Sequence, residues 1–179
     1  MNRRQLLTAV GGLGLTGGSV LAVRGHLPPT SGEDSSALPL TFETIDAPGS
    51  EAGEVTVPHP ERVTFIDLFA TWCAPCEEQM NDLSTVHEEY ADRVRFVSVT
   101  NERLGGTLTQ RDIRGWWRRH HGAWTVGVDP DSDLMAALGA GGIPYHAIAD
   151  ASGTIRWQQA GLSTAETLRT ALDRVLEEL

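Results

Sequence analysis

The sequence predicts an α/β protein with a central mixed sheet, helices on both faces of that sheet and an N-terminal strand extension. Two near-continuous apolar runs, residues 63–69 and 94–99, have the length and composition of strands buried inside a sheet. Segments with helical spacing of apolar residues alternate with the strands, and a hairpin precedes the last helix. Because strands and helices alternate in this order, a mixed sheet covered on both faces is required.

Each element is predicted from its local pattern. The predicted strands cover residues 40–45, 54–57, 63–69, 94–99, 124–128, 145–149 and 154–159. The predicted helices cover residues 75–91, 107–121 and 131–138, and a final helix runs from its cap at 163 or 164 to the end of the chain. The first two strands are separated by a turn at Ala47, Pro48 and Gly49, and the last two by a four-residue connection at 150–153. Ser163 or Thr164 caps the final helix.

Residues 1–24 have the pattern of a targeting segment and do not belong to the fold. Arg3 and Arg4 precede an uncharged, glycine-rich stretch at residues 6–23, which is typical of a twin-arginine export signal. The same stretch is long enough to remain as a membrane tether, so cleaved signal and retained anchor both stay open. In both cases the domain lies outside the cytoplasm. Residues 25–37 are predicted to be a flexible linker, and residues 38–179 one domain.

Composition excludes several chemistries. All 14 positively charged side chains are arginines, so phosphate loops, Schiff-base enzymes and serine–lysine hydrolases, which need a lysine, are excluded. The net charge is −10, and residues 25–179 alone carry 11 arginines against 24 acidic residues. Such a body repels phosphate backbones, which argues against nucleic-acid binding. We expect a halophilic domain, since concentrated salt screens this self-repulsion.

The two cysteines, Cys73 and Cys76, form a C-x-x-C motif between the buried strand 63–69 and the following helix. A thiol at a helix N-terminus faces unpaired N–H groups and the positive end of the helix dipole, which favour the thiolate. Pro75 suits the first helical turn. We therefore expect Cys73 to be an exposed attacking thiolate and Cys76 a more buried resolving thiol.

Two other interpretations of the cysteine pair are weaker. A purely stabilising disulfide would close a very short loop, from which the entropic gain is small. A metal site would lack two of the four ligands that structural zinc requires. The position between strand and helix favours a redox site.

The segment 69–76 (Phe-Ala-Thr-Trp-Cys-Ala-Pro-Cys), followed downstream by Gly142, Ile143 and Pro144, resembles thioredoxin-like proteins of the TlpA/ResA type. These are exported thiol–disulfide oxidoreductases, so the resemblance implies a thioredoxin-like fold. It further implies that Pro144 is a cis-proline beside the sulfurs and that Ile143 offers its backbone to an extended substrate. The implied substrate-binding residues are Trp72, Ala74, Pro75, Ile143, Pro144 and Tyr145.

Asp67 lies six residues before Cys73, where thioredoxins place a buried acid and many TlpA-like proteins have Asn. Burial should raise the pKa of this carboxyl, which would let it accept the proton of Cys76 during resolution. Alternatively, Asp67 is an edge residue paired with an arginine.

The chain departs from the family pattern at two places, and two acidic residues follow the motif directly. Asn81 replaces a kinking proline, so the helix after the motif is expected to be straighter. Tyr145 replaces the common Thr after the cis-proline and could narrow substrate choice. Glu77 and Glu78 suit a helix N-terminus but oppose the thiolate, which leaves the direction of electron flow open.

Weaker signals concern the histidines and one basic cluster. Arginines at 111, 114, 118 and 119 surround Trp116 and Trp117, and we interpret them as a solvated helix face with the tryptophans in the core. His146 could join Cys73 and Cys76 in holding copper, although core packing is the favoured interpretation.

The sequence thus predicts a thiol–disulfide oxidoreductase that needs no cofactor or resident metal. The favoured activity is reduction of cysteine pairs in exported proteins. The resemblance implies apocytochrome c or copper-site proteins as typical clients, and a membrane-embedded thiol–disulfide electron donor. The alternatives are an oxidase that inserts disulfides and a copper-binding chaperone that uses Cys73, Cys76 and His146.

Overall fold

Seven strands form one sheet in the computed structural model, which describes residues 38–178. The strands are β1 (Leu40–Thr44), β2 (Gly53–Val57), β3 (Thr64–Phe69), β4 (Arg95–Thr100), β5 (Thr125–Val128), β6 (Tyr145–Ala149) and β7 (Ile155–Ala160). The helices are α1 (Ala74–Tyr90), α2 (Gln110–Arg119), α3 (Asp133–Leu138) and α4 (Ala165–Glu177). The predicted targeting segment 1–24 and linker 25–37 lie outside the described residues. Across residues 38–178, no helix combines the length and apolar character needed to cross a membrane.

The sheet is mixed, with strand order β2-β1-β5-β4-β3-β6-β7. β3 lies near its centre, parallel to β4 and antiparallel to β6. All six residues of β3 are buried because both faces of the strand are covered. The predicted α/β class, mixed sheet and N-terminal strand extension are confirmed, since β1 and β2 form an antiparallel pair that joins the sheet beside β5.

Alternating residues of β3 belong to two separate cores. Phe65 and Phe69 face the larger core, which is built from α1, α2 and α4. Ile66 and Leu68 face the smaller one, which includes Leu134 of α3. Helices therefore cover both faces, as the alternation of strands and helices predicts. The cysteine motif and Asp67 belong to the side of the larger core.

Two helices begin later than their patterns predict. α2 starts at Gln110 rather than residue 107 because Thr109 and Asp112 form a reciprocal capping box. α3 starts at Asp133 rather than residue 131 because the Asp129 carboxylate accepts the backbone N–H groups of Asp133 and Leu134 at 3.0 and 2.9 Å. In each case an upstream polar side chain satisfies the first free N–H groups and sets the helix start.

Candidate active site

The cysteine pair lies at the junction of β3 and α1. Cys73 is the N-cap of α1, and its Sγ accepts the backbone N–H of Cys76 at 3.2 Å. Pro75 occupies the first turn, where a missing N–H costs nothing. The two sulfurs are joined in a disulfide, with Cα atoms 5.2 Å apart. This arrangement places the Cys73 sulfur where a thiolate receives hydrogen bonds from the helix terminus.

The sulfurs are less accessible than the sequence suggests. Cys73 is 5% exposed and Cys76 2%, so the expectation of an exposed Cys73 is wrong for the oxidised protein, although Cys76 is the more buried of the two. The adjacent Trp72 is 71% exposed and, with Leu162, is one of two large apolar side chains in residues 38–178 that protrude into solvent. Apolar contact area beside the reactive sulfur is therefore supplied by Trp72 rather than by the cysteines.

Pro144 precedes β6, and the Ile143–Pro144 peptide bond is cis. The Pro144 carbonyl accepts the backbone N–H of Gly161, and this bond ties the turn to the end of β7. Tyr145, the predicted specificity residue, is buried in the smaller core, where its hydroxyl donates to the Leu138 carbonyl at 3.3 Å. Its side chain therefore lies on the opposite side of the sheet from the cysteines, and the narrowing of substrate choice by this ring stays a prediction that its position does not support.

Asp67 lies in the middle of β3 and is 2% exposed. Its Oδ2 accepts the Ser98 hydroxyl at 2.7 Å, and Ser98 Oγ accepts the Trp124 indole N–H at 2.8 Å. Burial raises the pKa of Asp67 to about 7, and the bond from Ser98 only partly opposes this shift. Within residues 38–178 no arginine pairs with Asp67, so the alternative of an arginine-paired edge residue is wrong.

His146 is the residue opposite Asp67 in the antiparallel β3–β6 pair. Its Nε2 lies 3.5 Å from Asp67 Oδ1, and the residue is fully buried. Burial lowers the pKa of His146 to about 4, so the imidazole is neutral at pH 7 and this contact is not an ion pair. Because Ser98 opposes Asp67 on the other side, the three side chains form a polar row across β4, β3 and β6. We call Ser98, Asp67 and His146 the polar row.

Sequence reasoning missed the polar row as a unit. Each member interrupts an apolar strand with one polar residue, which is a usable signal, because buried polar groups normally have partners. The strand register that brings the three together is absent from the sequence pattern.

Glu102 is a second residue that the sequence analysis missed. Its carboxylate accepts the backbone N–H and the hydroxyl of Thr71, each at 2.7 Å. It also accepts the hydroxyl of Thr100, at the end of β4, at 3.0 Å. Glu102 thus anchors the loop that leads into Trp72 and Cys73. A single Glu after a strand carries no pattern that predicts this contact.

Two further predictions concern the basic cluster of α2 and the copper alternative. Trp116 and Trp117 are buried, while Arg111, Arg118 and Arg119 are exposed, so the solvated-face interpretation of this cluster is confirmed. Among the residues that the structure describes, no three His, Cys, Asp or Glu side chains are grouped to hold a metal ion. The copper-chaperone alternative therefore has no support from the arrangement of Cys73, Cys76 and His146 in this oxidised form.

Comparison with known proteins decides the family. The Redoxin family model matches residues 39–176. The chain belongs to the Redoxin family. This Redoxin domain is 29% identical over 118 residues to the thiol-disulfide oxidoreductase YkuV of Bacillus subtilis, a match that covers 66% of this chain and 80% of the relative.

More distant relatives agree with this assignment. Thiol-disulfide oxidoreductase ResA of Bacillus thuringiensis is 22% identical over 112 residues, and the match spans 62% of each chain. The crystal structure of StoA from Bacillus subtilis superposes with a TM-score of 0.61 at 20% identity, covering 76% of this chain and 98% of StoA. The predicted thioredoxin-like fold and the resemblance to ResA-type thiol–disulfide oxidoreductases are therefore confirmed.

Proposed function

We propose that this Redoxin domain reduces disulfides in exported proteins by thiol–disulfide exchange at Cys73 and Cys76. The single observation that carries the proposal is a C-x-x-C cysteine pair at the N-terminus of α1 on the same side of the sheet as a buried acid. That acid is Asp67, whose pKa is raised to about 7. A group that ionises near neutral pH can both accept and return a proton in the working range.

The first step uses the Cys73 thiolate. It attacks one sulfur of the substrate disulfide, forms a mixed disulfide and expels the other substrate sulfur as a thiolate, which takes a proton from water. The N–H of Cys76 and the helix dipole stabilise the attacking thiolate. No lysine exists in the chain to assist, so this stabilisation depends on the helix terminus.

The second step releases the substrate. Asp67 takes the proton of the Cys76 thiol, and the resulting thiolate attacks Cys73 Sγ, so that the mixed disulfide breaks and the second substrate sulfur leaves. Two electrons pass to the substrate, and the Cys73–Cys76 disulfide forms. The oxidised pair described above is the product of this step, and an external dithiol must reduce it before the next cycle.

Substrate binding is proposed for the surface around Cys73. Trp72 offers an exposed apolar ring, and Ala74 and Pro75 complete the motif beside it. We propose that the backbone at Ile143, before Pro144, pairs with an extended substrate chain in the manner of an added strand. A peptide around a disulfide suits such a surface better than a polyanion, given the net charge of −10.

Export is proposed on the pattern of residues 1–24, with the domain either secreted or tethered through residues 6–23 to the outer side of the cytoplasmic membrane. Outside the cytoplasm, disulfides form and persist, so a reductase there has substrates to act on. It also needs a source of electrons across the membrane, and we propose a membrane-embedded thiol–disulfide donor.

The test is reduction of insulin disulfides with dithiothreitol as the electron source. We expect the full chain to accelerate insulin precipitation, and Cys73→Ser to fall to the uncatalysed rate. Cys76→Ser should instead accumulate a mixed disulfide between Cys73 and insulin, detectable by mass spectrometry, because the resolving thiol is missing. Equal activity of the wild type and Cys73→Ser would refute the mechanism. Faster disulfide transfer to a reduced peptide than reduction of insulin would favour the oxidase alternative.

A further inference from the structure

We propose that His146 is a positioning residue for Asp67: its neutral imidazole donates Nε2–H to Asp67 Oδ1 and so keeps the carboxylate available to accept the Cys76 proton at neutral pH. This inference rests on the proposed function, in which Asp67 is the acceptor. It extends that function to a residue that performs no chemistry itself.

The geometry leaves one oxygen of Asp67 for His146. Oδ2 accepts the Ser98 hydroxyl, whereas His146 Nε2 lies 3.5 Å from Oδ1. This is slightly longer than an ordinary N–H···O bond, and the strand register holds the two residues opposite each other. In the part of the chain that the structure describes, neither ring nitrogen of His146 has a hydrogen-bond partner. A buried N–H without a partner is costly, so a small rotation that brings it onto the carboxylate is favoured.

Several ionisable side chains lie on the elements packed around Asp67 and His146. On the same side of the sheet, the ionisable side chains packed around the pair from α1, α2 and α4 include His87, Tyr90, His120 and Asp173. Cys73 and Cys76 are joined in the disulfide and do not ionise in the oxidised chain. On β7, Gln159 opposes His146, and Arg156 is paired with Asp150. Burial raises the pKa of Asp67, and the hydrogen bond from the Ser98 hydroxyl lowers it. Within the polar row, His146 is the one side chain other than Ser98 that faces Asp67, and its Nε2 lies 3.5 Å from Oδ1.

The hydrogen bond acts selectively on one protonation state. A donor to a charged carboxylate is about twice as strong as the same donor to a neutral carboxyl group. An imidazole that donates from Nε2 therefore favours ionised Asp67 over the protonated form. An apolar side chain in place of His146 removes this preference for ionised Asp67 and makes the surroundings of Asp67 less polar. Both effects disfavour the carboxylate.

The direct test is a carbon-13 NMR titration of the Asp67 carboxyl group in the oxidised full chain, which needs no catalytic activity. We expect His146→Leu to move the titration midpoint upward by about one pH unit, equivalent to about a tenfold lower carboxylate fraction below the midpoint. His146→Gln keeps a neutral side-chain N–H donor and should restore most of the shift. Ile148→Val, two residues along the same face of β6, controls for general repacking and should leave the midpoint in place.

The kinetic test follows the resolving step of a preformed mixed disulfide from pH 5 to 9. His146→Leu should show the same upward shift in its profile and the same plateau at high pH, whereas a merely structural role would change the plateau or the folded fraction. An unmoved midpoint in His146→Leu, with the wild type active on insulin, would overturn the inference and leave the proposed function intact. A shifted midpoint in His146→Leu, together with a wild-type chain that reduces no disulfide, would sustain the His146 contact and refute the function.

Discussion

Replacing Asp67 by Asn should stabilise the protein at neutral and alkaline pH. Asn keeps the size of the side chain and an oxygen for the Ser98 bond, but it carries no charge. In the wild type, burial raises the pKa of Asp67 from 3.8 to about 7, so the folded state holds a proton that the unfolded chain releases between these values. The free energy of unfolding therefore falls as pH rises through this window, and the full penalty is present above pH 7.

The size of the penalty follows from the shift. A change of about three pH units at roughly 1.4 kcal/mol per unit corresponds to about 4 kcal/mol. We expect Asp67→Asn to match the wild type within about 1 kcal/mol near pH 4 and to exceed its unfolding free energy by up to about 4 kcal/mol at pH 8. His146, whose pKa is lowered from 6.5 to about 4, has the opposite pH dependence, but it is neutral in the folded and unfolded states at pH 8 and does not enter the difference there.

The assay is urea denaturation of the oxidised chains at several pH values between 4 and 8. Asp92→Asn is the matched control, because Asp92 is exposed, and its replacement should change stability by less than about 0.5 kcal/mol at every pH. A constant difference between Asp67→Asn and wild type across the pH range would refute the assignment of a proton to buried Asp67. A variant that loses stability at pH 8 would contradict the sign.

Three further predictions concern the loop, the docking surface and the net charge. Glu102→Ala removes the acceptor of three hydrogen bonds from Thr71 and Thr100, so it should lower the unfolding free energy by about 1–3 kcal/mol and slow the attack of Cys73. Glu102→Gln should recover part of both losses. Urea denaturation measures the stability and insulin reduction measures the rate. Trp72→Ala should raise KM for a disulfide peptide by roughly tenfold, because it removes the apolar ring beside Cys73. Since Trp72 is 71% exposed, the unfolding free energy should change by less than about 0.5 kcal/mol. An unchanged KM would exclude Trp72 from substrate docking. Multimolar sodium chloride should raise the thermal midpoint, because it screens a net charge of −10; equal midpoints at low and high salt would contradict the halophilic expectation.

The central part of the fold could be predicted because its signals are local. The two apolar runs became β3 and β4, and the cysteine motif lies at a helix start because the strand ends and a proline suits the first turn. The starts of α2 and α3 were misplaced because capping groups, such as the Asp129 carboxylate, act from several residues upstream. Periodicity reports which residues face the core but not which side chain satisfies the first N–H groups.

The residues of the site could be predicted from the sequence, but most of the contacts between them could not. Cys73, Cys76 and Asp67 were recognisable from residue type and spacing along one segment. The contacts of Asp67 with Ser98 and His146, and of Glu102 with Thr71, join residues that are far apart in the chain. They depend on strand register, which a single sequence with this pattern does not specify. The position of the Tyr145 ring also depends on the sheet, because the alternation of side chains along β6 places it on the side opposite the sulfurs.

The reduction potential of the Cys73–Cys76 pair tests the central claim most directly. The full chain is equilibrated with glutathione or dithiothreitol buffers of stated ratio, and the oxidised fraction is read from alkylated thiols by mass spectrometry. A reductase of protein disulfides requires a value near that of thioredoxin, about −270 mV, and this is the predicted result. A value near that of DsbA, about −120 mV, would mean that the pair gives its disulfide away, and it would contradict the proposed direction of electron flow.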